Sequence, residues 1–103
     1  MSLGSKQRQF TLMVADLISH AYGLGYELTF GDAYRDPRTT YGHAKSLHRK
    51  RLAVDLNLFK DGEYLTSTED HEPIGEYWES IGGSWGGRFQ DGNHYSLAHN
   101  GMK

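Results

Sequence analysis

The chain contains no cysteine, which excludes disulfides, thiolate metal sites and cysteine nucleophiles. Any metal it holds must sit on nitrogen and oxygen donors. No apolar run approaches the roughly 20 residues that span a bilayer, and the opening MSLGSKQRQF lacks a signal peptide's apolar core. A protein made in the cytoplasm without a leader, and without stable membrane insertion, is therefore expected. Neither sign of charge dominates: 11 Lys and Arg stand against 13 Asp and Glu, for a net charge of −2. That balance gives little attraction for a polyanion, so nucleic acid is not the expected partner. A chain of 103 residues is the size of one domain and buries roughly 65% of its unfolded surface. A single domain over residues 1–103 is expected, as a monomer.

Histidine, by contrast, is abundant: His20, His43, His48, His71, His94 and His99. Imidazoles in such number are either pH-sensitive surface groups or ligands. Over residues 5–22 the apolar positions Phe10, Met13, Val14, Leu17, Ile18 and Ala21 recur at helical spacing, with Gly23 and Gly25 as the stop. Residues 27–31 alternate as a strand, and residues 33–47 carry no periodicity. A second strand is expected over 52–59, a hairpin turn at Lys60-Asp61-Gly62, and a return strand over 63–65. Ser67 or Thr68 is placed to cap a second helix with the stripe Ile74, Tyr77, Trp78 and Ile81, and Pro73 fits its first turn. A last strand is expected within 93–98. This order implies an α+β fold with a small, mainly antiparallel sheet and flanking helices.

Period two places the chemistry. In the strand AVDLNLF, Val54, Leu56 and Leu58 share the core face, while Ala53, Asp55, Asn57 and Phe59 share the other. The last strand puts His94 and Ser96 on one face and Tyr95 on the other. With His48 just ahead of the second strand, two imidazoles and a carboxylate can converge, the ligand set of a catalytic zinc site with an open position. Asp91, three residues before His94, is placed to act as general base, and Arg35 to hold a carboxylate or a developing oxyanion. The bland alternatives are a turn-forming Asp91 beside Gly92 and a solvated Arg35. His20 reads as structural, His43 and His71 as exposed, and His99 as part of a frayed end. Trp78 reads as core, whereas Trp85, among glycines, reads as lining a groove. Glu76 and Glu79 share one helix face and are more simply solvated than a pair of catalytic acids.

Ser46-Leu47-His48, Ala53-Val54-Asp55 and Asp91-Gly92-Asn93-His94 together resemble the zinc peptidases of the D-Ala-D-Ala carboxypeptidase family, which includes the VanX and VanY types. SLHRKRLAVDLNLF, HEPIGEYWESIGGSWGGRFQDGNH and AYR ahead of the first histidine are similar to its phage endolysin branch, the L-alanyl-D-glutamate endopeptidases. The resemblance spans roughly residues 28–97. It implies the hedgehog/DD-peptidase-like fold, Zn2+ on His48, Asp55 and His94, Asp91 as base and Arg35 as substrate clamp. Ser46 and Trp85 join Arg35 on the substrate side, and Arg38, Lys45 and Arg88 are further possible contacts. The implied substrate is the peptidoglycan stem peptide, reached in the cell wall or periplasm after another protein has opened the membrane. A D-alanyl-D-alanine carboxypeptidase and a non-catalytic zinc-binding module are the alternatives. Arg51 stands where many family members have glycine, which argues against a tight glycine turn there.

Overall fold

In the computed structural model, which describes residues 2–33 and 47–99, the first helix, α1, runs Leu3–Gly23. Ser2 caps it by accepting from the Ser5 amide at 3.1 Å, and the chain leaves through Gly25 at φ +92°, where a side chain would be strained. Its buried stripe is Phe10, Met13, Leu17 and Ala21, a spacing that keeps one face toward the sheet.

Strand β1 (Glu27–Phe30) pairs antiparallel with β2 (Ala53–Lys60), with Thr29 opposite Asn57. β2 turns through Asp61 and Gly62, both at positive φ, into β3 (Glu63–Leu65), the hairpin geometry that follows strand twist. A short 3-10 turn, Glu69–His71, then feeds α2 (Glu72–Ser80), with Pro73 in the first turn. β4 (Ser84–Trp85), a 3-10 turn over Gly86–Phe89 and β5 (His94–Ser96) complete the fold.

All five strands join in one antiparallel sheet in the order β1-β2-β5-β4, with β3 also on β2. β2 is the axis: β1 lies along one edge, and β5 followed by β3 along the other. The α+β expectation therefore holds. Val54, Leu56 and Leu58 face the helices together with Tyr95, and the Trp78 ring meets Phe10 and Tyr95 edge-on at 5.8 and 6.1 Å. Trp78 is core, as its helical stripe implies. The opposite sheet face is left for polar groups.

Candidate metal centre

Asp55 and His94 are register partners across β2 and β5, so strand pairing brings their side chains to one face. His48 arrives from a 3-10 turn, Leu47–Lys50, just ahead of β2. That turn is closed by the Arg51 amide on the His48 carbonyl at 3.3 Å and the Leu52 amide on the Leu47 carbonyl at 2.9 Å. Arg51 holds φ +57°, the left-handed conformation that glycine adopts at least cost. The tight turn that its side chain argues against is thus present, built on arginine.

The three donors converge. His48 Nε2 lies 3.3 Å and His94 Nδ1 3.5 Å from Asp55 Oδ1, and the donor atoms all fall within 4.8 Å of one another. Both imidazoles are buried, and Asp55 is partly so. Burial alone would push the Asp55 carboxyl up, but hydrogen bonds from His48 and His94, with their charge, hold it at about 2. It is an anion throughout the neutral range.

The spacing fits a cation. Ligand atoms about 2.0–2.2 Å from a tetrahedral ion stand roughly 3.3–3.5 Å apart, the separation of Asp55 Oδ1 from each imidazole nitrogen. The other ring nitrogen of His94, Nε2, is buried without a hydrogen-bond partner among the described residues. Two nitrogens and one oxygen suit zinc and leave a fourth coordination position for water or substrate.

Asp91 is exposed on the turn that leads into β5. The turn is closely held: the Asp91 amide donates to the Gly86 carbonyl at 2.9 Å, and the His94 amide to the Asp91 carbonyl at 3.1 Å. The Gly92 peptide is gripped on both sides, its N–H by Thr68 Oγ1 at 3.3 Å and its carbonyl by the Trp85 indole N–H at 2.7 Å. No side chain fits at two of its glycines. A Cβ on Gly92 would lie 2.6 Å from the Thr68 Cα, and one on Gly86 2.2 Å from the Asp91 carbonyl oxygen.

Several expected placements change. Trp85 is only 3% exposed. It lines a surface hollow together with Arg88 and Phe89, but its N–H is committed to the Gly92 carbonyl, so it also braces the turn. Arg88 is held by Glu79, with Nη2 to Oε1 at 2.6 Å and Nε to Oε2 at 3.0 Å; this lowers the Glu79 carboxyl and ties the Gly86–Phe89 turn to α2. His71, expected at the surface, is buried, with Nδ1 sharing a 2.7 Å hydrogen bond with the Tyr95 hydroxyl. Burial pulls its pKa down to about 4, against the opposing charge of Asp70. His20 stacks on Tyr77 at 3.7 Å, a structural contact. Arg35, Arg38, His43, Lys45 and Ser46 lie outside the described residues.

The sequence offers Thr68 as a cap for the second helix and Gly92 as a turn residue, but not the contact of the Thr68 hydroxyl with the Gly92 amide nor the closeness of Gly86 to Asp91. The signal was the box Ser67-Thr68-Glu69-Asp70, in which Ser67 Oγ accepts from the Asp70 amide and Asp70 Oδ2 from the Ser67 amide. That box caps the turn ahead of α2 and leaves the Thr68 hydroxyl for Gly92.

The family model described as D-alanyl-D-alanine carboxypeptidase matches residues 39–97, a span containing all three donors and the turn between them. The chain belongs to this peptidase family. Among curated proteins, no match is found. A peptidase with a possible His/Asp/His metal site, in a family whose substrate class is peptidoglycan, is what the match and the geometry establish together. Among the described residues no helix is long and apolar enough to cross a membrane.

Proposed function

We propose that the protein is a zinc endopeptidase that hydrolyses the L-alanyl-D-glutamate bond of peptidoglycan stem peptides. The observation that carries this reading is the convergence of His48, Asp55 and His94 on one sheet face beside a clamped turn bearing Asp91. Zinc on these three residues would supply Lewis acidity, lowering the pKa of water toward neutrality and polarising a carbonyl.

The chain's own groups supply the rest. Asp55, anionic at neutral pH, balances the charge of the site and orients His48 and His94. Asp91 takes a proton from the attacking water and delivers it to the departing amine, so one carboxylate serves as base and then as acid. Its exposure suits a group that exchanges protons with substrate, and the grip on Gly92 limits how far it can wander. Arg35 is assigned to the substrate carboxylate or the developing oxyanion. A purely structural zinc site needs no such base, which favours catalysis over a binding module. The choice of bond rests on the similarity of SLHRKRLAVDLNLF and of the segment from His71 to His94 to the endolysin branch. On this reading the enzyme acts on peptidoglycan in the cell wall or periplasm.

The test is mass spectrometry of purified sacculi digested with zinc-loaded protein, with Asp91→Ala alongside. New N-terminal D-glutamate on the fragments, at least a hundredfold slower to appear with the variant, is the expected outcome. Free D-alanine would move the assignment to the carboxypeptidases, and an intact wall would leave a zinc-binding module.

A further inference from the structure

The sheet face that carries Asp55 does not end at the metal centre. Asp55, Asn57 and Phe59 alternate along β2 and so project from the same side, with Phe59 about 13 Å beyond Asp55. Across the β1 ladder, Asn57 Nδ2 donates to Thr29 Oγ1 at 3.2 Å; from β3, the Tyr64 hydroxyl donates to Asn57 Oδ1 at 3.4 Å. The Tyr64 ring lies over Phe59, centroids 5.1 Å apart and planes 25° from parallel, yet Tyr64 remains 54% exposed. Next to Asp55 on the β1 side stands Gly31, where even a Cβ would come to 3.2 Å from the Asp55 Cβ.

None of these side chains serves the core, because both helices pack on the opposite face. The row is ordered all the same: Thr29, Asn57 and Tyr64 hold one another, with Asp55 at one end of the strand face and the aromatic pair at the other. An uncharged amide and two hydroxyls beside an exposed ring suit a pyranose, which stacks its C–H face on the ring and offers hydroxyl and acetamido groups to the polar row.

The length of the row selects which sugar. In a stem peptide the L-alanine is joined through a lactyl group to the muramyl ring. Two short units of roughly 3.5 Å each separate the scissile carbonyl from that ring, whose far side then reaches the platform. A terminal D-alanyl-D-alanine bond lies several residues further from the sugar and would leave the platform empty.

We propose that Phe59 and Tyr64, with Asn57 and Thr29, form a sugar subsite that takes the N-acylated muramyl ring carrying the scissile peptide. The inference rests on the endopeptidase reading above and adds a second recognition element to it.

The measurement compares kcat/KM of zinc-loaded protein on the disaccharide-linked stem peptide and on the same peptide without sugar. Wild type should favour the sugar-bearing substrate by roughly tenfold, mainly through KM. In Tyr64→Ala and in Phe59→Ser/Tyr64→Ala the ratio should fall toward one while zinc stoichiometry stays the same. Equal wild-type values on the two substrates, with the L-alanyl-D-glutamate bond cut in both, overturn the subsite alone. So does a ratio that survives both variants. Release of D-alanine by the wild type instead overturns the bond assignment itself.

Discussion

Arg51 carries a backbone conformation that its side chain disfavours, and it does so three residues from a metal donor. At φ +57° a non-glycine residue costs on the order of 1 kcal/mol, and a β-branched one more. The cost is tolerated because the turn it closes delivers His48 to the face where Asp55 and His94 wait. Replacing the residue by glycine and by valine removes the arginine in both cases and leaves the dihedral as the difference. Arg51→Val should be less stable than Arg51→Gly by about 1–2 kcal/mol in urea unfolding, with zinc affinity weakened in the valine variant alone. Equal stabilities would mean that the turn relaxes without cost. The sequence shows that glycine is absent here, but a sequence gives no sign that the surrounding contacts will force a left-handed residue regardless.

At the scale of elements, the packing of α2 is set by a glycine in its own middle. Gly75 is buried in α2, and a Cβ there would fall 2.2 Å from the Trp85 ring. Alanine would gain about 1 kcal/mol in helix propensity, but overlap of that size with a ring already bonded to Gly92 costs more, typically 1–3 kcal/mol. Gly75→Ala is therefore expected to lower thermal stability despite the better helix former, and to loosen the turn bearing Asp91; a raised melting temperature would show that the ring can shift freely. Much of this level is legible beforehand. Period two in AVDLNLF separates Asp55 from Val54, Leu56 and Leu58, and helical spacing finds both apolar stripes. Less legible is what depends on contacts between distant segments. His71 has polar neighbours in sequence, yet the 3-10 turn tucks it against Tyr95; Trp85 sits among glycines, and only the fold shows that Gly87 and, from α2, Gly75 leave no room for a Cβ beside its ring.

For the whole molecule, acid is the informative variable. His71 titrates near 6.5 when unfolded but at about 4 when folded, so between those values the unfolded chain binds more protons. Its contribution is fully present above about pH 6.5 and is lost as pH falls toward 4, a change on the order of 3 kcal/mol. Asp55, held at about 2, adds a further loss in the same direction below about pH 4. Urea unfolding of metal-free protein should show stability declining from pH 6.5 to 4, with a flatter slope in His71→Asn. An identical slope in the variant would assign the acid sensitivity to other groups.

Asp55 and His94 face each other because they are partners in the β2–β5 ladder. A slip of one residue would turn one of them toward the helices and away from the other. Metal loading is thus a parity check on strand pairing. A chain whose last strand has docked out of step has two donors on opposite sides of the sheet and cannot close the site, so a correctly paired sheet and a competent enzyme are selected by the same event.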